Sequence, residues 1–460
     1  MNYQRTELNM KRFTILLSLM LLLGFTGCVK QQQTAETTTD TLPRISDDSL
    51  FTLVQYKTFQ YFWDGAEPTS GAARERFHVD NDYPDNDKNI VTTGGTGFGV
   101  MAILVGIERN FITRKQGVEH LTKLIGFLEK ADRFHGAWPH WLNGETGKVK
   151  PFGSNDNGGD LVETAYLVQG LLCVRQYFKE GDGEEKALAE RIDKLWKGVE
   201  WDWYRHGGKN VLYWHWSPDK QWIMNFPLEG YNECLITYVL GASSPTHSIP
   251  AITYHEGWAR GGKIKNDSSH QQYGYHLDLR HNGAPQFGGP LFWSHYSFLG
   301  LDPRKLKDKY ANYWQHNVNH VLINRQYCIE NPKHYKDYGE NSWGLTAGYS
   351  VKFYAAHSPN EDLGVITPTG ALSSFPYTPE YSMQAMKHFY FDLGGKIFGP
   401  YGFYDGFSVQ YDWYKPWYLA IDQGPIVVMM ENERSGLLWK LFMSCPEVSK
   451  GLDELGFSYK

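Results

Sequence analysis

The chain of 460 residues has no basic run after its N-terminal stretch, and its formal net charge is only −6. Nucleic acid is thereby excluded as a main partner, because neutralising phosphates requires clustered Lys and Arg. Five cysteines form no CxxC pair, and there is no HExxH, no Cys/His zinc spacing and no phosphate-cradling glycine loop. Neither a metal nor a nucleotide cofactor is expected; the cofactor expectation is none. What is abundant is aromatic: 15% of residues, with 16 Trp and 30 Tyr. Rings with a polar edge suit stacking on the apolar faces of sugars while hydroxyls find hydrogen bonds, and a large aromatic core is the competing explanation.

Lys11 and Arg12 precede an apolar run, Phe13 to Phe25, too short to span a bilayer as a mature helix. It ends Leu23-Gly24-Phe25-Thr26-Gly27-Cys28, which resembles a bacterial lipobox and implies lipidation at Cys28. Residues 1–28 read as a lipoprotein signal peptide and 29–46, polar and rich in Gln and Thr, as a tether. The expected location is the cell envelope of a Gram-negative bacterium, with a membrane partner through the lipid. Of the other cysteines, Cys173 and Cys234 lie in apolar runs and read as buried free thiols, with the pairing of all four left open.

Residues 47–460 read as one domain built on an alternation. Glycine-led apolar segments near 96–109, 160–174, 232–243, 288–300, 342–350 and 424–435 have the composition of helices buried on most sides. Stretches near 48–64, 114–131, 184–205, 248–259, 304–326 and 380–392 carry one charged face. Two alternating sets predict an all-α fold, an (α/α)6 barrel with long functional loops at 68–93, 259–289 and 358–378. In such a barrel the N-termini of the inner helices gather at one mouth.

Acids sit at three of those starts. The densest group is Asn155-Asp156-Asn157-Gly158-Gly159-Asp160-Leu161-Val162-Glu163. Spacing of i, i+4, i+7 stacks its carboxylates on one face if the helix begins by Asp156, which calls for a cation, a shared proton or a polyhydroxylated ligand nearby. The spacing of Asp160 and Glu163 equally fits a capping box. Glu233, between Tyr231 and Cys234-Leu235-Ile236, has surroundings that keep a carboxyl protonated; it is the candidate general acid. Asp422, ahead of Gly424-Pro425 with Pro425 suited to N1, is expected ionised by the helix dipole and is the candidate base. Two carboxyls in opposed environments are what glycosidic cleavage needs.

The 155–163 segment with Thr164-Ala165, Gly230-Tyr231-Asn232-Glu233 and Asp422-Gln423-Gly424-Pro425 resemble the motifs of glucoamylase-like domain proteins related to glycoside hydrolase family 144. The resemblance runs from about Asp47 to the C-terminus. It implies an (α/α)6 barrel, action on β-1,2-glucan or its oligosaccharides, inversion without a metal, Glu233 as acid, Asp422 as base, and Asp156, Asp160 and Glu163 lining substrate subsites. The β-1,2 linkage follows from the resemblance alone.

His135, Trp138 and His140 in one His/Trp-rich loop, Trp216 in another, and Trp413 in a Tyr/Trp-rich run are further candidates for holding a sugar. An α-glucan hydrolase, a polysaccharide lyase and a non-catalytic glycan-binding lipoprotein stay open as alternatives. Acid-lined motifs argue against the uronate substrate of a lyase, and a pure binding protein has no need of acids at several helix starts.

Overall fold

Thirteen α-helices form the frame of the computed structural model, which describes residues 42–459. They are α1 (Asp47–Trp63), α2 (Thr93–Glu108), α3 (Arg114–Leu128), α4 (Leu161–Phe178), α5 (Gly183–Lys197), α6 (Leu235–Ser243), α7 (Tyr313–Glu330), α8 (Pro368–Leu372), α9 (Pro379–Phe391), α10 (Gly394–Ile397), α11 (Ala420–Arg434), α12 (Leu437–Met443) and α13 (Pro446–Leu455). Short antiparallel strand pairs lie between them. The expected signal peptide, Cys28 and nearly all of the tether lie outside the described residues.

Two kinds of helix separate as their composition requires. In α5 the buried apolar positions Leu188, Ala189, Ile192, Leu195 and Trp196 recur every three or four residues, and charged side chains fill most of the others. α2 and α4 are instead buried almost all round. Their axes approach so closely that a Cβ on Gly97 would lie 2.2 Å from the carbonyl oxygen of Tyr166, and one on Gly170 would lie 2.1 Å from that of Gly97. Only glycine permits this backbone-to-backbone contact, which is why α2 opens Thr-Gly-Gly-Thr-Gly-Phe-Gly.

α2 packs on α4 and α11, α4 on α6, and α8 on α11. Between α6 and α8 runs Leu291–Phe298, two 3₁₀ turns tied in by side chains. Ser297 Oγ accepts from Ile236 N at 3.1 Å, Gln169 Nε2 donates to Tyr296 O at 3.0 Å, and His295 Nε2 lies 3.0 Å from Ser374 Oγ.

Several expected boundaries are corrected. Residues 342–350 form no helix: they hold the strand Ala347–Tyr349, paired with Tyr354–Ala356. The short helix in their stead is α8, inside the segment read as the loop 358–378. Residues 288–300 make 3₁₀ turns, and the 248–259 stretch is a π-helix over Thr253–Trp258. α7 begins at Tyr313 rather than near 304. α4 begins at Leu161, so Asp156 lies in the preceding loop and the helical stack of acids does not form. Pro425 lies inside α11, five residues past its start, not at N1. Cys173, Cys234, Cys328 and Cys445 are buried free thiols.

Candidate active site

Asp160 caps α4. Its Oδ1 accepts from Val162 N at 3.0 Å and Glu163 N at 2.9 Å, and its Oδ2 accepts from Trp214 Nε1 at 2.9 Å. The reciprocal half of a capping box is missing, because Glu163 points across to α2 and takes Gly94 N at 2.7 Å. Capping therefore frees Glu163 for a cavity of about 280 Å³ lined also by His140, Glu233, Glu75, Arg76, Tyr166, Trp214, Tyr296 and Tyr354.

The acids have found their cation. Nδ1 of His140 stands 3.2 Å from Asp160 Oδ2 and 3.7 Å from Asp156 Oδ2, and its Nε2 stands 4.0 Å from Glu163 Oε1. Burial disfavours the imidazolium, but Glu163, Asp160 and Asp156 outweigh it and hold His140 up to about 10. Burial and the neighbouring Asp160 raise Asp156 to about 7; burial, opposed by His140, raises Glu163 to about 7 as well. Donor atoms of His140, Asp156 and Asp160 lie within 4.8 Å of one another, a set able to hold a metal. Asp160 is already engaged by a helix start and an indole, and the imidazolium already supplies positive charge.

Glu233 lies two residues before α6. Its backbone oxygen accepts from Ser297 Oγ at 2.5 Å and from Tyr166 Oη at 3.4 Å, which fixes the turn while the carboxyl faces the cavity. Burial pushes that carboxyl up to about 7. A proton is thus available there near neutral pH.

Asp422 occupies the first turn of α11 and is 2% exposed. The ionised state expected of it is not what its surroundings favour: burial first, then Asp405, raise it well above the carboxylate range. The two carboxyls are electrostatic neighbours, both oxygens of Asp422 being buried without a hydrogen-bond partner among the described residues, and Asp405, raised to about 6 by burial, accepts from Tyr349 N at 2.5 Å. Such a pair holds one proton between two acids.

The other expected residues fall elsewhere. Trp138 is fully buried, donates Nε1 to Leu128 O at 3.2 Å and lies under the Arg133 guanidinium, so it belongs to the core. His135 and Trp216 pack with Trp203 in a separate aromatic patch, His135 stacked on Trp203 at 3.7 Å. Trp413 lines a neighbouring furrow rather than the cavity. Sequence reasoning missed Glu75, Arg76, Asp405 and Tyr354. Glu75 and Arg76 arrive through the strand Arg76–His78, paired with Trp417–Leu419, and Tyr354 through the 347–356 hairpin. Tyr354 lines the cavity, where burial and the nearby Asp422 raise its phenol.

The family Glycoamylase ("Putative glucoamylase") matches residues 225–446. An endo-beta-1,2-glucanase from Chitinophaga pinensis, solved with sophorotriose and glucose, is 70% identical, with 90% of this chain and 99% of that one covered and a TM-score of 0.89. The chain belongs to the glucoamylase-like family related to glycoside hydrolase family 144.

Within this glucoamylase-like family it is also similar to the exo beta-1,2-glucooligosaccharide sophorohydrolase (non-reducing end) of Parabacteroides distasonis, 44% identical over 446 residues and 93% of this chain. The chain spans about 60% of that relative's length. A solved beta-1,2-glucanase from Parabacteroides distasonis is 45% identical, covering 90% of this chain and 60% of its own, with a TM-score of 0.84.

Proposed function

We propose that this glucoamylase-like protein is a glycoside hydrolase of β-1,2-glucan or its oligosaccharides. The observation that carries the reading is Glu233, a carboxyl raised to about 7 at the wall of a ring-lined cavity beside which Asp156, Asp160 and Glu163 share the imidazolium of His140. Glu233 donates its proton to the glycosidic oxygen as the C–O bond breaks. A water attacks the anomeric carbon, and its proton passes to the Asp422–Asp405 pair, which carries one charge able to accept it. Inversion is the outcome the family resemblance implies. Asp156, Asp160 and Glu163 grip sugar hydroxyls and, with His140, set the field around Glu233. The names of the relatives from Chitinophaga pinensis and Parabacteroides distasonis support the β-1,2 linkage.

The packing of α2 on α4 and α11, α4 on α6 and α8 on α11 supports an (α/α)6 barrel, in which α2, α4, α6, the 291–298 turns, α8 and α11 read as the inner set and α1, α3, α5, the π-helix, α7 and α9 as the outer. The lipobox-like sequence supports a lipid anchor at Cys28 in a Gram-negative envelope; radiolabelled palmitate incorporation lost in Cys28→Ala tests it.

Hydrolysis of linear β-1,2-glucan, with an α-glucan run in parallel and the anomer followed by proton NMR, tests the activity. Glu233→Gln and Asp422→Asn are expected to lower kcat by about 10²–10⁴ while folding normally. Near wild-type turnover in both overturns the assigned roles, and cleavage of the α-glucan alone overturns the linkage.

A further inference from the structure

His316 and His320 stand one turn apart on one face of α7, and the segment between the π-helix and the 291–298 turns lays His281 against both. All three imidazoles are at most 2% exposed, and no carboxylate pairs with any of them among the described residues. Neutral hydrogen bonds hold them instead, and these fix the tautomers. Gly289 N donates to His281 Nδ1 at 2.9 Å, so the proton of His281 is on Nε2, which lies 2.9 Å from His316 Nε2. His316 is the acceptor of that bond. Leu279 N stands 3.4 Å from His316 Nδ1, too far to impose the other tautomer. His320 spans Ser294 Oγ and Gly289 O, each at 2.8 Å. Burial first, then the neighbouring imidazoles, hold His281 well below the ordinary histidine range, and burial brings His320 to about 4.

Tyr231 is seated on this pair. Its ring centroid lies 4.6 Å from that of His281 and 4.7 Å from that of His316, and its phenol donates to Asn317 Oδ1 on α7 at 3.3 Å. The backbone is tied to the same segment, since Asn282 N donates to Tyr231 O at 3.1 Å. Gly230, with φ of 77°, leaves no room for a Cβ, which would lie 2.2 Å from Asn282 Oδ1. Two residues beyond Tyr231 comes Glu233, with Asn232 Oδ1 taking Cys234 N at 3.0 Å to tighten the turn between them. Glu233 is hydrogen-bonded through its backbone oxygen, so the turn places its carboxyl. The imidazoles hold one end of that turn, and the acid stands at the other.

We propose that His281 and His316 are positioning residues for Glu233: hydrogen-bonded Nε2 to Nε2, they seat the Tyr231 ring and thereby hold the Gly230–Glu233 turn that aims the carboxyl into the cavity. This rests on the hydrolase reading above and adds to it the means by which the acid is held. The Glu233 carboxyl faces Asp160 and Tyr166 from the side of α4 and the Cys234 thiol from its own chain. The imidazoles touch none of the reacting atoms, so their signature is in kcat and in the titration of Glu233 rather than in KM.

The test compares wild type with His316→Leu, which removes the acceptor, and His316→Gln, whose amide oxygen can take the His281 proton. Rates on linear β-1,2-glucan are scaled to the folded fraction read by near-ultraviolet circular dichroism. His316→Leu is expected to lower kcat about 10–30-fold with KM within about twofold, because a displaced acid costs the transition state and not sugar binding. Water reaching the displaced carboxyl favours its ionised form, so the alkaline limb of kcat/KM is expected to move down by about one pH unit. His316→Gln restores both. Tyr231→Leu, which leaves the imidazoles and removes the ring seated on them, is expected to change kcat and the limb as His316→Leu does. Carbon-13 NMR titration of the glutamate carboxyls, with the Glu233 signal identified by its loss in Glu233→Gln, reads the same displacement without turnover: the midpoint falls in His316→Leu and returns in His316→Gln. Variants that are only less heat-stable, with kcat per folded molecule, alkaline limb and carboxyl midpoint unchanged, overturn the positioning role and leave the hydrolase reading intact. Failure of wild type to cleave any β-1,2-glucan overturns the hydrolase reading, and the carboxyl titration then still decides whether the imidazoles hold Glu233.

Discussion

Nδ1 of His140 lies 3.2 Å from Oδ2 of Asp160, and this one contact couples a helix cap to the charge balance of the cavity. Asp160 is fixed by three N–H donors, so it holds the imidazole in place rather than the reverse. With a folded value of about 10 against an ordinary 6.5, His140 contributes stability that is fully present below pH 6.5 and lost as pH rises through 10. Long-range nitrogen-correlated NMR of the imidazole is expected to show a protonated ring throughout the neutral range. In Asp160→Asn the same ring is expected to titrate at lower pH. A His140 midpoint near 6.5 in the wild type contradicts the ion cluster.

The rate profile should be narrow. Glu233 must keep its proton, so kcat/KM falls as pH passes about 7; the Asp405–Asp422 pair must keep its charge, so kcat/KM falls below about 6. Asp405→Asn replaces an acceptor by a donor beside Asp422 and removes the like charge that raises it. The acid limb is expected to move to lower pH with the alkaline limb unmoved. Movement of the alkaline limb instead would assign the pair's proton to the acid role.

How far residues announce themselves in the chain depends on whether their partners are local. Asp160 and Glu163 are legible because capping acids and site acids want the same place, a helix start with free N–H groups. Glu233 is legible from its apolar neighbours, and the buried set α2, α4, α6 and α11 from glycine-led apolar composition. The 342–350 error has the same origin: Trp343, Leu345 and Ala347 are buried, and apolar content in a short segment does not distinguish a strand from a helix. α8, only five residues with Pro and Gly among them, leaves no periodicity to detect. Asp405 and Tyr354 owe their importance to Asp422, reached through hairpins remote in sequence. No local signal encodes such a meeting.

Trp138 separates core from site. Its loop neighbours have polar partners, His135 with Glu200 and His140 with the site acids, whereas its indole is 0% exposed. Trp138→Leu is expected to lose about 2–4 kcal/mol of stability by chemical denaturation, from the cavity and the orphaned Leu128 carbonyl. Folded Trp138→Leu should bind substrate with little change in KM. A large rise in KM at unchanged stability would return Trp138 to the sugar-binding surface.

Close backbone-to-backbone packing of α2 on α4 lies beside the chemistry, and that makes Gly97 and Gly170 sensitive positions. A methyl group on either collides with backbone at 2.2 or 2.1 Å, and neither helix has a flexible side chain to yield, so α2 and α4 must separate. The same two helices are bridged at their N-terminal ends by the Gly94 N–H to Glu163 bond of 2.7 Å. Separation therefore weakens the grip on Glu163 and the cluster it shares with His140. Gly97→Ala and Gly170→Ala are each expected to cost about 2–3 kcal/mol and to lower activity in the fraction that folds. Gly183→Ala is the matched control, because a Cβ there meets nothing within 4 Å at the start of α5. It should be neutral or stabilising by about 0.5 kcal/mol. Thermal and denaturant unfolding of the three variants side by side decides the matter: equal behaviour would mean that α2 and α4 tolerate separation and that the glycines are not what positions Glu163.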